Sequence, residues 1–205
     1  MSTKQIFLLL RPKHWIKNFF VFIPLFISGS FFDTSLLLNS FLGFVMFSIS
    51  ASMVYIFNDL IDIESDKNHP KKKNRPIASG NISIGFAIFL LITLFTLLIL
   101  TGVKLNFLAI EIIFSYLAMN VAYSLYLKRI AIIDVICIST GFVLRVVMGV
   151  LVTSLPVSYW IISLTFSLCI LLALGKRQAE LNIVNSESIR PSLKKYNKEL
   201  ISSLQ

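Results

Sequence analysis

Acidic side chains follow a long apolar run at residues 58–66, which read NDLIDIESD. On a helix, Asp59, Asp62 and Asp66 stand at i, i+3 and i+7, so they share a narrow arc of one face, with Asn58 beside it. Crowded carboxylates repel one another unless a cation lies between them, and Mg²⁺ prefers such hard oxygen ligands together with substrate phosphates. The spacing of Asp59, Asp62 and Asp66 therefore predicts a Mg²⁺ site.

A basic loop follows the acidic stretch directly. Residues 67–75 contain four lysines and one arginine. The acidic stretch alone could be a solvated helix end, and the basic loop alone could fix membrane topology. Acidic residues followed directly by basic residues favour a diphosphate-binding site. Arginine binds phosphate in a bidentate manner, so Arg75 is the candidate for substrate contact, and Lys71, Lys72 and Lys73 are assigned to topology.

Composition places these groups in a membrane protein. The chain has 205 residues, of which 56% are hydrophobic and only 14% are charged, and its mean hydropathy is +0.82. Soluble domains rarely have such values. The net charge of +9 does not indicate a nucleic-acid partner, because the basic residues lie in short loops between apolar runs. Cys137 and Cys169 lie within apolar runs and form neither a disulfide framework nor a metal motif.

The fold class is therefore predicted to be all-α, a polytopic transmembrane helix bundle forming one membrane domain over residues 1–205. A span needs ~20 residues, which gives about six spans. They are predicted at Trp15–Phe32, Leu36–Phe57, Ile82–Thr101, Leu105–Leu127, Ile132–Thr153 and Val157–Leu174. The basic segments alternate with nearly uncharged loops, so the positive-inside rule places both termini and the loop at residues 58–80 in the cytoplasm. Residues 175–205 are predicted to form a cytoplasmic amphipathic segment.

The fifth span carries charges that could face a cavity. Asp134, Gly141 and Arg145 share one helix face, and charges inside a membrane normally line a cavity or pair with each other. Asp134 and Arg145 are about 16 Å apart along a helix, so they cannot pair directly. An ion pair between Arg145 and Glu111 of the fourth span is the structural alternative. Gly141 and Gly149 are expected to permit close helix packing.

Two further motifs stand at the predicted cytoplasmic ends. Lys13 and Lys17 flank Trp15, which is also the pattern of an interfacial anchor. Lys176 and Glu180 are i, i+4 neighbours, which is also the pattern of a surface ion pair at a helix end. From the residues alone, each motif is either part of a functional site or only the anchor or ion pair just described.

The aspartate pattern Asn58-Asp59-x-x-Asp62-x-x-x-Asp66 resembles the first aspartate-rich motif of the UbiA-type intramembrane prenyltransferases. Four other segments are similar to the decaprenyl-phosphate phosphoribosyltransferase branch: RPKxWxKN at 11–18, HP and RPIAxG at 69–80, GFVLR at 141–145, and KRxxEL at 176–181. The chain departs from the second motif of aromatic prenyltransferases, Asp-x-x-x-Asp, because position 130 is Ile130 and only Asp134 stands near the expected place.

The resemblance implies a bundle of about nine helices, so about six here suggest that the C-terminal third is missing. It also implies Mg²⁺-dependent transfer from phosphoribosyl diphosphate to a polyprenyl phosphate, in a bacterial-type plasma membrane. The implied metal ligands are Asn58, Asp59, Asp62 and Asp66, and the three aspartates are the implied catalytic residues. The alternative is transfer of a polyprenyl group from its diphosphate to an aromatic acceptor. A transporter or structural subunit is the non-enzymatic alternative, and assembly as a homo-oligomer is left open. The candidate substrate-binding residues are Lys13, Lys17, Asn18, Asn58, Arg75, Tyr123, Lys128, Arg129, Asp134, Arg145, Lys176, Arg177 and Glu180.

Overall fold

The computed structural model describes residues 2–105 and 107–183, and within that part every regular element is a helix. Eight α-helices are present in the described residues: α1 Thr3–Leu10, α2 Ile23–Ile27, α3 Thr34–Ile61, α4 Ile63–Lys67, α5 Ile84–Leu105, α6 Phe107–Leu125, α7 Ile133–Thr153 and α8 Tyr159–Ile183. Three 3₁₀ helices lie at Pro12–Phe22, Lys72–Asn74 and Leu127–Arg129. The all-α prediction is confirmed.

Within residues 2–105 and 107–183, five helices are long and apolar enough to cross a membrane: α3, α5, α6, α7 and α8 up to Glu180. They correspond to the second to sixth predicted spans. The sixth prediction was too short, because α8 continues from residue 174 to Ile183 and takes in the start of the predicted amphipathic segment. The rest of that segment, residues 184–205, lies outside the described residues.

The first predicted span is not one long α-helix. A 3₁₀ helix covers Pro12–Phe22 and passes into the short helix α2, with Pro24 in its first turn. Proline has no N–H and clashes with the preceding turn, so an α-helix cannot run through Pro24, whereas proline is tolerated in a first turn. Eleven residues at ~2.0 Å and five at ~1.5 Å extend about 30 Å, which matches the hydrocarbon core. This segment thus has the length of a span without its predicted form.

Helix α3 is the centre of the bundle and contacts the first 3₁₀ helix, α5, α6 and α7. Asp33 caps its start, since its Oδ1 accepts the N–H groups of Ser35 and Leu36 at 2.9 and 3.1 Å. Small buried residues along it include Ser40, Gly43, Ser48, Ser50, Ala51 and Ser52, which lets neighbouring helices approach closely. With 28 residues, α3 is about 42 Å long, so its acidic end extends beyond a core of about 30 Å.

Glycine permits one close helix contact. A Cβ at Gly149 of α7 would lie well inside van der Waals distance of the Val21 carbonyl oxygen and 2.9 Å from Pro24 Cδ. The close packing predicted for Gly149 is therefore present. At Gly141 the nearest atom to a Cβ would be 3.5 Å away, an ordinary contact, so the same prediction was wrong there.

Candidate functional site

The acidic site lies at the junction of α3 and α4, where two aspartates share two arginines. Asp59 and Asp66 are each 1% exposed. Arg11 Nη2 donates to Asp59 Oδ1 at 2.6 Å. Arg75 Nη1 donates to Asp59 Oδ1 at 3.1 Å and to Asp66 Oδ2 at 2.6 Å. Arg75 thus bridges the two carboxylates and fixes them side by side.

Local backbone structure delivers Arg11 to this site. Arg11 ends α1 in the left-handed region, with φ 53° and ψ 54°, which is uncommon for a non-glycine residue. Its guanidinium lies 4.7 Å from the centre of the Tyr55 ring. Next to it, Ser52 Oγ accepts from Trp15 Nε1 at 3.1 Å and is 2.9 Å from the Leu10 carbonyl oxygen. These contacts tie the turn to α3 and aim Arg11 at Asp59.

The loop after α4 delivers Arg75. Arg75 has an extended backbone, with φ −63° and ψ 144°, as expected for a residue before proline. Ile77 and Ile82 are almost fully buried and pack in one cluster with Leu9 and Ile56. This apolar anchor holds the loop against α1 and α3, so Arg75 reaches both carboxylates.

Asp62 is separated from the other two aspartates. Helix α3 ends at Ile61 and Asp62 stands at the junction, although its N–H still bonds the Asn58 carbonyl and its carbonyl accepts from Asp66. Its side chain is 30% exposed and lies 3.7 Å from Lys128 Nζ. The expectation of three carboxylates on one helix face was therefore wrong for Asp62, because the helix breaks at that residue.

Three buried oxygens of the site have no hydrogen-bond partner among the described residues: Asn58 Oδ1, Asp59 Oδ2 and Asp66 Oδ1. An unsatisfied buried acceptor costs roughly 1–3 kcal/mol, and more when it is charged. Within the described ranges no group of three His, Cys, Asp or Glu side chains forms a complete metal cage. Mg²⁺ does not need one, because one or two carboxylates plus substrate phosphates and water hold it. The donor set therefore fits Mg²⁺.

A cavity of 510 Å³ opens beside Asn58. Its polar lining includes Lys17, Tyr55, Asn58, Tyr116, Asn120, Tyr123, Arg145, Lys176 and Arg177, and apolar side chains of α3, α7 and α8 complete the walls. In the part of the chain that the structure describes, neither Lys17 nor Lys176 pairs with a carboxylate. The cavity therefore has ammonium groups available for an anionic ligand.

A second ionic cluster joins α7 to α8. Arg177 is 1% exposed, and its Nε donates to Asp134 Oδ2 at 2.9 Å while its Nη1 donates to Glu180 Oε2 at 2.8 Å. Asp134 is also 1% exposed. This cluster compensates a buried arginine with two carboxylates, so Asp134 and Glu180 are engaged within the protein although Arg177 lines the cavity.

Arg145 is held by neutral groups. Its Nε donates to Asn18 Oδ1 at 2.8 Å, its Nη1 to the Gly141 carbonyl, and its Nη2 to Tyr116 Oη at 3.3 Å. The alternative pairing with Glu111 is wrong, since Glu111 is exposed and forms no ion pair with Arg145. Asn18 is fully buried and also donates to Ser48 Oγ at 3.0 Å, so direct ligand contact by Asn18 itself would require its two bonds to open.

The remaining predicted residues divide by position. Lys13 and Arg129 are exposed and do not line the cavity. The site list from the sequence omitted Arg11, although it belongs to the quoted 11–18 motif, which was the signal available. It also omitted Tyr55, Tyr116 and Asn120, which line the cavity from apolar helices whose pattern carries no distinguishing mark.

The fold and the site define a class of intramembrane protein, and the UbiA prenyltransferase family model matches residues 18–179. The chain belongs to the UbiA prenyltransferase family. It is 32% identical over 197 residues to the decaprenyl-phosphate phosphoribosyltransferase of Corynebacterium glutamicum, covering 91% of this chain and 58% of that protein. It is 37% identical over 171 residues to the uncharacterised protein y4nM of Sinorhizobium fredii, covering 83% of this chain and 33% of that protein. The chain thus spans well under two thirds of these relatives.

Solved structures agree on the fold. A UbiA homologue from Archaeoglobus fulgidus, bound to GPP and Mg²⁺, superposes with a TM-score of 0.70 at 22% identity, over 84% of this chain and 62% of that one. The five long apolar helices described above therefore belong to the helical membrane fold of this family.

Proposed function

We propose that this chain carries the donor and acceptor sites of a Mg²⁺-dependent transferase that moves a 5-phosphoribosyl group from phosphoribosyl diphosphate to a polyprenyl phosphate. The observation that carries the proposal is the junction of two features. Among the described residues, buried oxygens of Asn58, Asp59 and Asp66 have no donors, and Asn58 also lines the cavity to which Lys17 and Lys176 bring charges without carboxylate partners. The name of the Corynebacterium glutamicum relative supports this substrate pair.

Asn58, Asp59 and Asp66 hold the metal in this proposal. Mg²⁺ would neutralise charge on the diphosphate as it leaves. Asp62 is oriented toward Lys128, so its predicted role is retained only as an outer contact to the metal or the donor. The Mg²⁺ bound in the Archaeoglobus fulgidus homologue supports this cofactor.

The proposed transfer step breaks one bond at the ribose and forms another. The bond between ribose C1 and the diphosphate oxygen breaks, and a bond forms between C1 and an oxygen of the lipid phosphate. Pyrophosphate carries away the electron pair. The acceptor is already an anion, so the step requires no strong general base. Lys17, Lys176 and the bridging Arg75 supply positive charge for the phosphates at this end of the bundle.

The lipid tail has an apolar place beside the polar cavity. A groove of about 500 Å³ lies between α3, α5 and α6, and its walls expose almost only apolar atoms. Val54 lines both the groove and the cavity. A polyprenyl chain in this groove would enter sideways from the bilayer and keep its phosphate near the polar cavity.

The membrane location follows from the substrates. The donor is a soluble anion, so the site faces the cytoplasm of a bacterial-type inner membrane. Ion pairs bring Arg11, Arg75 and Lys128 to the acidic end of α3, which is the end that the positive-inside rule assigns to the cytoplasm. Assembly as a homo-oligomer stays an open alternative.

A second candidate is transfer of a polyprenyl group from its diphosphate to an aromatic acceptor. The observation that favours it is the GPP and Mg²⁺ bound by the Archaeoglobus fulgidus homologue. Product analysis with labelled substrates separates the two: label from the ribose appears in the lipid only in the first.

The test is pyrophosphate release by the purified protein in detergent with Mg²⁺, phosphoribosyl diphosphate and a polyprenyl phosphate. We expect release that requires both substrates and is lost in Asp59→Asn. Asp33→Asn is the matched control, because Asp33 only caps the opposite end of α3 and asparagine caps equally well. Release that persists in Asp59→Asn would contradict the proposal. No release by the wild type would require the assay to be repeated with the reading frame extended past residue 205.

A further inference from the structure

Arg145 is a buried cation on the cavity wall whose partners are all uncharged. It is 6% exposed and lines the cavity. Among the described side chains no carboxylate pairs with it. Burying a charge is costly unless an opposite charge or strong hydrogen bonds compensate it. Arg177 lines the same cavity and pairs with two carboxylates. Its charge is therefore compensated within the protein, whereas the charge of Arg145 is not.

The guanidinium of Arg145 retains hydrogen-bonding capacity. It has five N–H donors, and the three acceptors described above, on Asn18, Gly141 and Tyr116, take one each. Two N–H groups therefore remain for a ligand. The three partners lie on three different elements of the bundle, so they fix the plane of the guanidinium and set the direction of those two donors.

Aromatic rings enclose the rest of the group. The guanidinium carbon lies 5.1 Å from the ring centre of Phe47, 5.0 Å from that of Tyr116 and 5.5 Å from that of Phe142. Cation–π contacts of this kind stabilise the cation without neutralising it. They also exclude water from its sides, which strengthens any attraction to an anion in the cavity.

Arg145 continues the positive charge of the cavity mouth inward. Its bond to the Gly141 carbonyl places the guanidinium near the level of Gly141, about 10 Å along α7 from Asp134. Lys17 interacts electrostatically with both Arg145 and Lys176. Three cations therefore lie along the cavity from its mouth inward, namely Lys176, Lys17 and Arg145. None of them has a carboxylate partner in the described residues.

We propose that Arg145 binds a phosphate group of a substrate through its two remaining N–H groups, with Asn18 and Tyr116 as positioning residues. This inference rests on the proposed function. The shared chemistry is a phosphate; its source is either the 5-phosphate of the donor or the phosphate of the lipid acceptor. Arginine suits this role because its planar fork matches phosphate geometry.

The first test is Asn18→Asp, which is nearly isosteric and places a carboxylate against Nε of Arg145. Binding of inorganic phosphate and of pyrophosphate is measured without Mg²⁺, by the shift in the thermal midpoint of the purified protein. We expect Asn18→Asp to fold as stably as the wild type and to bind phosphate about 10- to 100-fold more weakly, as loss of a charge-assisted contact predicts. Unchanged phosphate binding in a folded Asn18→Asp protein, or none in the wild type, would overturn the proposal.

A second variant keeps the test decisive. Arg145→Gln removes the charge, and Lys104→Gln is its control, because Lys104 is an exposed cation at the end of α5 and does not line the cavity. We expect weaker phosphate binding in Arg145→Gln alone; equal binding in both variants would overturn the proposal.

Where turnover is measured, a higher KM for phosphoribosyl diphosphate alone assigns the donor phosphate, and a higher KM for the lipid alone assigns the acceptor. Because phosphate binding requires no turnover, failure of the transferase assignment leaves this test intact.

Discussion

Two buried clusters of this chain contain the same kinds of side chain but differ in whether their carboxylate oxygens have hydrogen-bond partners. In each, one arginine bridges two acids: Arg75 joins Asp59 to Asp66, and Arg177 joins Asp134 to Glu180. Asp59 and Asp66 nevertheless keep buried carboxylate oxygens without donors among the described residues, whereas no buried oxygen of the second cluster is unsatisfied there. Ion pairing alone does not separate a binding site from a structural contact. The unsatisfied oxygens favour the first cluster as the ligand site, because buried acceptors normally have a hydrogen-bond partner.

The largest effect should come from Asp59→Asn. We expect activity to fall about a thousandfold, because a metal ligand contributes several kcal/mol to transition-state charge stabilisation. Mg²⁺ should raise the thermal midpoint of the wild type by mass action and leave that of Asp59→Asn unchanged. Steady-state pyrophosphate release and thermal unfolding with and without Mg²⁺ measure both. A variant that is inactive but still stabilised by Mg²⁺ would place the metal elsewhere.

Asp134→Asn should reverse this pattern. Removing Asp134 leaves the buried Arg177 with Glu180, which is partly exposed, as its remaining acidic partner among the described residues, so we expect the free energy of unfolding to fall by about 3 kcal/mol. Activity per folded molecule should fall far less than in Asp59→Asn. Denaturant unfolding and active-site titration of the folded fraction test this. Equal stability of Asp134→Asn and the wild type would remove the contrast between the clusters.

Lysine substitutions in both bridges give a smaller, matched effect. An ammonium group keeps the charge but lacks the planar fork that reaches two carboxylates. We expect Arg75→Lys to reduce activity about tenfold, by loss of one charge-assisted contact, with a small change in stability. Arg177→Lys should lower the free energy of unfolding by about 1–2 kcal/mol. The comparison fails if the two substitutions produce the same ratio of activity loss to stability loss.

Lys128→Gln should have the smallest effect. Its 3.7 Å contact with Asp62 joins side chains that are 34% and 30% exposed, and exposed pairs contribute about 0–1 kcal/mol. We expect a change below about 0.5 kcal/mol that disappears in high salt. Unfolding at low and high ionic strength measures it. A loss of activity as large as that of Asp59→Asn would instead place Asp62 and Lys128 within the metal and donor site.

Much of this arrangement was predictable from the chain itself. Apolar runs of span length predicted five of the six spans, since a membrane-spanning segment must satisfy its own backbone hydrogen bonds. The first span was missed in form because hydropathy measures length and apolarity and does not distinguish a 3₁₀ helix from an α-helix. Break points such as Asp62 are likewise local backbone events that a helical face diagram does not contain.

The pairings between distant residues were less accessible. The i, i+3, i+7 spacing indicated a shared face for the aspartates, but the partners of Asp59 come from residues 11 and 75, and no periodicity links them. Arg145 was recognised as costly in a membrane, yet its partner was assigned to Glu111 by charge alone. The structure satisfies it with Asn18, a carbonyl and a tyrosine, because amide and hydroxyl acceptors can replace a carboxylate when they lie at the right distance.

The glycine of α7 that admits the first 3₁₀ helix has a further consequence. The Val21 carbonyl cannot receive the usual i+3 bond of a 3₁₀ helix, because Pro24 stands at that position and has no N–H. A hydrogen on the Gly149 Cα replaces the side chain that would clash there, and it is directed at this same oxygen. A Cα–H···O contact therefore serves a main-chain acceptor of a residue that is fully buried in the protein. At this crossing, the Gly149 Cα–H donates in place of the N–H that Pro24 lacks.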